Sequence, residues 1–268
     1  MTKAPVRART GRTAGATAAL SGPEAGGDAL ARHLDATLPA LDSLEARLVA
    51  IADAIPGRIA FSTSLGLEDQ AVLHAIAATG RSFDVFTLDT GRHFPETLET
   101  LEASELRYGL KIRVMFPDAK DVELLVARDG IMGFRQSIEA RKACCDVRKV
   151  RPLNKALAGA SGWLTGLRRD QSAGRAHVPF AVWDAEHRLV KLNPIADWSL
   201  DTLEAYIAEN AVPVNPLHAR GFPSIGCQPC TRAIRPGEDI RAGRWWWENE
   251  DGKECGLHNR PKPKEAHA

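Results

Sequence analysis

Five cysteines carry most of the chemical signal in this 268-residue chain. Cys144 and Cys145 are adjacent, and Cys227-x-x-Cys230 follows after 81 intervening residues. Four thiolates from two segments can close one metal site. Successive helical residues point about 100° apart, so an adjacent pair is awkward around a single tetrahedral zinc. A cubane iron–sulfur cluster offers four irons, and adjacent thiolates can reach different corners; all-thiolate ligation of such a cluster is ordinary. The competing reading of Cys144-Cys145 is buried apolar packing, which the paired Cys-x-x-Cys makes less economical. Cys255 is left over, in Lys253-Glu254-Cys255-Gly256-Leu257-His258. A thiol beside Lys253 and His258 has the setting of a lowered pKa and of nucleophilic attack; the plain alternative is an exposed spare thiol.

Anion-binding features surround these thiols. Residues 128–176 hold eleven Lys/Arg and four Asp/Glu, in a chain of formal net charge +1. Arg148, Lys149 and Arg151 follow the cysteine pair, and Arg168, Arg169 and Arg175 come later. Arg241 and Arg244 lie beyond Cys230. A charge run is usually a solvated face; one bordering every other motif points to an anionic substrate held by arginine forks. Ser62-Thr63-Ser64-Leu65-Gly66 sits between a strand pattern and a helix pattern, where serine hydroxyls and backbone amides favour an anion. An ordinary capped helix would read the same way. The loop is neither a Walker A motif nor the Ser-Gly-Gly-x-Asp-Ser loop of ATP pyrophosphatases. Asp89-Thr90-Gly91-Arg92 follows the next strand, where a nucleoside can be held. Trp245, Trp246 and Trp247 read as packing anchors.

The elements that must position these residues alternate. A helix is expected from Leu41 to Ile55, stopped by Pro56-Gly57, and a strand over Arg58 to Ser62. A helix over Glu68 to Ala78 closes at Gly80. A strand over Phe83 to Leu88 follows, then a helix from Pro95 to Tyr108-Gly109. Next come a strand over Ile112 to Phe116, helix over Val122 to Ala127, a strand over Trp163 to Leu167 and a helix capped by Ser199. Strands alternating with helices predict an α/β fold, a mostly parallel sheet with helices on both faces. Ligands then bind at the carboxyl ends of its strands. Prolines break the chain after Asn210 into a loop-rich segment.

Composition sets the outer limits. With 44% hydrophobic and 26% charged residues the chain is globular in type. No run of about 18 apolar residues is present to span a membrane, and the near-neutral charge argues against general nucleic-acid or membrane-surface binding. So few unevenly spaced cysteines fit a reduced, cytoplasmic setting better than a disulfide framework. Residues 1–27 are Ala-, Gly-, Thr- and Arg-rich and read as a disordered extension, or as a transit-peptide mimic. The expected layout is that extension, a domain over 28–247 and a mobile tail over 248–268 carrying Cys255.

The motifs taken together resemble the assimilatory adenylyl-sulfate (APS) reductases, the iron–sulfur branch of the phosphoadenylyl-sulfate reductase family. The resemblance spans about residues 41–260. It rests on Ser62 to Asp69, Leu88 to Arg92, Cys144-Cys145 with Arg148-Lys149, Thr165 to Ser172, Cys227-x-x-Cys230 and Glu254 to His258. It implies an adenine-nucleotide alpha-hydrolase-like, Rossmann-like fold and a [4Fe-4S] cluster on Cys144, Cys145, Cys227 and Cys230. It further implies Cys255 as the nucleophile that attacks the sulfur of adenosine 5′-phosphosulfate. An enzyme S-sulfocysteine and AMP form, and thioredoxin then releases sulfite, in sulfate assimilation. Lys149, Arg241, Arg244 and His258 match positions around the phosphosulfate; Gly66, Leu88 and Gly166 match nucleotide contacts. Ser62, Ser64 and Arg175 complete the expected substrate set, although family members often carry a longer stretch with Thr-Arg where this chain reads Ala173-Gly174-Arg175. The family is often homo-oligomeric. The alternatives are 3′-phospho-APS (PAPS) as substrate, alone or as well as APS, an iron–sulfur tRNA thiolase, which would need an ATP pyrophosphatase loop, and a zinc-stapled nucleotide binder.

Overall fold

The computed structural model describes residues 23–248. The first half runs α1 (Pro23–Thr37), α2 (Leu44–Ala54), β1 (Ile59–Thr63), α3 (Leu67–Thr79), β2 (Asp84–Leu88), α4 (Pro95–Tyr108), β3 (Arg113–Met115) and α5 (Ala119–Asp129). The second half runs α6 (Ile138–Cys145), a π-helical turn (Asp146–Val150), α7 (Arg151–Leu157), β4 (Gly162–Leu164), β5 (Ala181–Asp184), β6 (Leu189–Leu192) and α8 (Leu200–Glu209). The six strands form one sheet in the order β3-β2-β1-β4-β6-β5. All neighbours are parallel except the β5–β6 pair. This is the expected α/β architecture.

Strand residues alternate between two apolar layers, as a period of two requires. Ile59, Phe61 and Val85 join the larger core, with α1, α2 and α3. Ala60, Phe86 and Trp163 face the other side, against Leu153, Ala156 and Leu157 of α7. Helix ends follow local chemistry. Ser43, Asp118, Ser137 and Ser199 accept N-cap hydrogen bonds. Gly80 and Gly109 end α3 and α4 with φ of 63° and 61°, a left-handed conformation that glycine adopts without a Cβ clash.

Three elements differ from the sequence reading. Helix α1 occupies Pro23–Thr37, well before Leu41 and overlapping the stretch expected to be disordered; residues 1–22 lie outside the described residues. Helix α1 buries Ala31 and Leu34, and its Asp35 carboxylate accepts the N–H groups of Phe180 (2.7 Å) and Ala181 (3.2 Å). Its partner is the β5–β6 hairpin, which was not foreseen, so an Ala/Gly-rich segment offered no visible reason to fold. The third is the helical run through Ile138–Leu157, in which polar and basic residues hide the periodicity. Among the described residues no helix is long and apolar enough to cross a membrane.

Candidate active site

Strand order reverses beside β1: the chain moves outward to β2 and β3, then returns to place β4 on the other flank. Such a switch point leaves a crevice at the carboxyl edge of the sheet. A cleft of about 230 Å³ opens there. Nine of the ten predicted substrate residues line it. Ser62, Ser64 and Gly66 come from the turn after β1, Leu88 from the end of β2, and Gly166 from the turn after β4. Lys149 and Arg175 enter from the π turn and the loop before β5, and Arg241 and Arg244 from the C-terminal segment. His258 and the predicted nucleophile Cys255 lie outside the described residues.

Asp69, in the first turn of α3, organises the loop. Its carboxylate accepts both the N–H and the hydroxyl of Ser64, each at 2.6 Å. Burial pushes this carboxyl up to about 6, against the opposing pull of the Ser64 bonds and the Gly166 N–H. A Cβ on Gly166 would stand 2.4 Å from the Asp69 carboxylate and 3.1 Å from its N–H, so glycine is the residue that lets the β4 end approach α3. Gly66 caps α3 without a side-chain bond, leaving first-turn N–H groups for an anion. The Ser62 hydroxyl accepts the Trp163 indole N–H at 2.8 Å, which sets it as part of the wall.

The four cluster-candidate cysteines line one narrow cavity beside the cleft, and Lys149, Arg244 and Trp245 line both. All four thiols are free of disulfides. Cys144 and Cys145 end α6, and the π turn that follows re-aims Arg148 and Lys149 toward the sheet edge, a phase shift typical of π bulges at functional sites. The Thr90 hydroxyl lies 3.3 Å from the Cys227 sulfur. Burial pushes Cys144 up and Cys230 up to about 12. It pushes Cys227 up as well, but Lys149, Thr90, Arg244 and Arg92 together bring that thiol below its ordinary value. No group of three or more His, Cys, Asp or Glu side chains among the described residues could hold a single metal ion.

The family described as the phosphoadenosine phosphosulfate reductase domain matches residues 58–233. The chain belongs to that family. Over 225 residues it is 55% identical to the adenosine 5′-phosphosulfate reductase of Agrobacterium fabrum, covering 84% of this chain and 86% of the relative. It is 52% identical over 212 residues to the protein of the same name from Allochromatium vinosum, covering 78% and 83%. A crystal structure of phosphoadenylyl-sulfate (PAPS) reductase from Candida auris, in a phosphate complex, superimposes with a TM-score of 0.64 at 26% identity, covering 76% of this chain and 96% of that one.

Within this family member, much of the basic cluster serves the fold. Arg168 is buried and paired with Glu68 at 2.9 Å. Arg169 donates to the Val178 carbonyl at 2.9 Å, Arg151 bridges Asp121 and Asp146, and Arg148 donates to the Thr90 carbonyl at 2.6 Å. The cations that line the cleft are Lys149, Arg175, Arg241 and Arg244. Conversely, Asp69, His93, Gln171 and His218 line the cleft and carried no predicted role. His93 stands one residue past the quoted Leu88 to Arg92 run. Its ring nitrogen sits 2.9 Å from the Leu88 carbonyl, and burial holds it below the usual histidine range. Trp245, expected as an anchor, is 1% exposed and also walls both cavities.

Proposed function

We propose that the protein reduces adenosine 5′-phosphosulfate to sulfite and AMP in sulfate assimilation, with Cys255 as nucleophile and thioredoxin as reductant. The observation that carries this reading is the shared wall: a nucleotide-sized cleft at the strand ends meets a four-cysteine cavity through Lys149, Arg244 and Trp245. The identity to relatives named for this reaction supports it over most of the chain. The protein is an oxidoreductase acting on a sulfur group.

The Cys255 thiolate attacks the substrate's sulfuryl sulfur. A sulfur–sulfur bond forms as the sulfur–oxygen bond to phosphate breaks, and AMP leaves with the electron pair. Lys149, Arg241 and Arg244 stabilise the charge gathering on the phosphate, as fixed cations need no reorganisation. His258 and Arg175 complete the ring around the phosphosulfate; Ser62, Ser64, Gly66, Leu88 and Gly166 hold the nucleotide. A thioredoxin thiolate then attacks Cys255 Sγ, sulfite leaves with the electron pair, and the second thioredoxin thiol resolves the mixed disulfide. Cys255 returns as thiol and thioredoxin as disulfide.

Cys144, Cys145, Cys227 and Cys230 would hold the [4Fe-4S] cluster. The donor set fits: four undivided thiols face one cavity, and Arg92, Lys149 and Arg244 already draw the Cys227 thiol toward thiolate. When bound, the cluster supplies a structural and electrostatic centre beside the cleft, the two electrons coming from the thioredoxin dithiol. The binding domain then extends from Pro23, where α1 begins, to Glu248, which is buried against Arg141, rather than over 28–247; the chain beyond it carries the nucleophile, and the reduced thiols suit the cytoplasm.

Two measurements test this reading. Without thioredoxin, substrate should leave one SO3 adduct on Cys255 by intact-mass spectrometry, and Cys255→Ser should cut sulfite release by at least about a thousandfold while keeping iron. An adduct on another cysteine would displace the nucleophile. In competition, APS should be consumed ahead of PAPS. The Candida auris likeness favours the second substrate, and faster PAPS turnover would establish that alternative.

A further inference from the structure

We propose that Gln171 is a positioning residue: its side-chain amide ties the Arg175 guanidinium to the turn after β4 and so presents it, already ordered, to the phosphosulfate. This rests on the reading of the cleft as the phosphosulfate site with Arg175 in its ring.

Gln171 and Arg175 both line the cleft. They close two short 3₁₀ turns, Arg169–Gln171 and Ala173–Arg175, on the way from β4 to β5. The Gln171 Oε1 accepts the Arg168 backbone N–H at 3.2 Å and an Nη1 hydrogen of Arg175 at 2.5 Å. The Gln171 amide nitrogen donates to the Gly166 carbonyl at 3.4 Å. The Arg168 end of this link is itself fixed. Its buried guanidinium donates to Glu68 Oε1 through Nη2 at 2.9 Å and Nε at 3.2 Å, and to the Trp198 carbonyl at 3.1 Å. At the other end, the Arg175 backbone N–H donates to the Ser172 carbonyl and the Arg175 carbonyl accepts the Val178 N–H, each at 2.9 Å. One line of contacts therefore runs from the first turn of α3 through Arg168 and Gln171 to Arg175.

The amide suits this task better than a carboxylate would. An amide oxygen has two lone pairs, and Arg168 and Arg175 take both, so this atom serves the arginine and not the ligand. A carboxylate could accept the same bonds, but it would cancel the charge that an anion needs. Glu68 shows that outcome, because its carboxylate takes Arg168 out of the cleft. Ordering a long side chain at the moment of binding costs affinity. A neutral acceptor meets that cost beforehand and leaves the positive charge of Arg175 in place.

The test is a double-mutant cycle read by equilibrium binding to the full chain with its cluster. The probe is ADP, whose terminal phosphate stands in for the sulfate and which holds no sulfur to be attacked; adenosine is the uncharged control. Gln171→Met keeps much of the bulk and removes both polar ends. It should weaken ADP binding about fivefold and leave adenosine affinity and iron content within about twofold. In an Arg175→Ala background the same substitution should change ADP affinity less than about twofold, because no guanidinium remains to be positioned. A merely structural role would give the same loss in both backgrounds, or would weaken adenosine as well, and either result overturns the proposal. So does a Gln171→Met chain that binds ADP within about twofold of wild type. If Gln171→Met loses iron or cooperative unfolding, Gln171→Asn takes its place in the cycle, since it keeps the amide but is one methylene too short to join Arg168 to Arg175. A loss that depends on Arg175 then supports positioning, whereas equal losses, or lost iron here too, overturn it. An Arg175→Ala chain that binds ADP as wild type does removes Arg175 from the site and takes this proposal with it. A wild-type chain that binds neither ADP nor adenosine fails the reading of the cleft itself.

Discussion

The substrate cleft and the cysteine cavity share a wall but are held in different ways. The cleft stands on the ends of regular strands, and its bonds close among themselves: Asp69 with Ser64, Ser62 with Trp163, and Thr165 with Asn193 at 2.6 Å. The cavity is walled by a π turn and by irregular chain around Cys227 and Cys230. Thiols that burial would keep neutral face converging cations there. In the proposed reading the cavity would be completed by an iron–sulfur cluster on its thiols, whose thiolates would then balance the converging cations.

The largest effect separates the two regions. Cys227→Ser should lose most of the bound iron, read by iron assay and visible absorbance, while AMP affinity by equilibrium dialysis stays within about threefold, since none of the four described cysteines lines the cleft. Full iron retention would break the assignment, and lost AMP binding would show that the regions do not act separately.

A middle-sized effect probes the shared wall. A charge-assisted hydrogen bond to an anion is worth about 1.5–3 kcal/mol, so Arg241→Ala should weaken substrate binding about tenfold or more with iron unchanged. Arg244, which lines both cavities, should on replacement weaken binding similarly and lower iron as well. Identical iron in both variants would remove the shared-wall argument, and unchanged affinity in both would remove the arginines from the site.

The smallest effect belongs to the cleft alone. Burial raises Asp69 from 3.8 to about 6. Between those pH values the folded chain keeps a proton that the unfolded chain has released, so this group's contribution to stability falls as pH rises through that window, by at most about 1.4 kcal/mol per unit. Urea titrations across the window should show this component, and Asp69→Asn should remove it. An unchanged slope in that variant would place the titration elsewhere.

Much of this protein is written locally. Pro95 and Gly109 bound α4 as expected, Ser199 caps α8, and the strand patterns lie within a few residues of the observed strands, because proline, glycine and serine act through neighbouring backbone. The candidate set was legible for the same reason: cysteine spacing and the turns after strands announce chemistry within a few residues. Distance-dependent facts were not legible. Helix α1 folds because a hairpin about 145 positions away in sequence accepts it. Arg168 and Arg141 look like the anion-binding cations beside them, yet Glu68 and Glu248 take them out of the cleft. Lys149 and Arg175 reach it. Sequence alone determined which side chains could bind an anion or a metal. Tertiary structure decided which of them face the cleft, because charge type is a property of one residue whereas an available charge is a property of what packs against it.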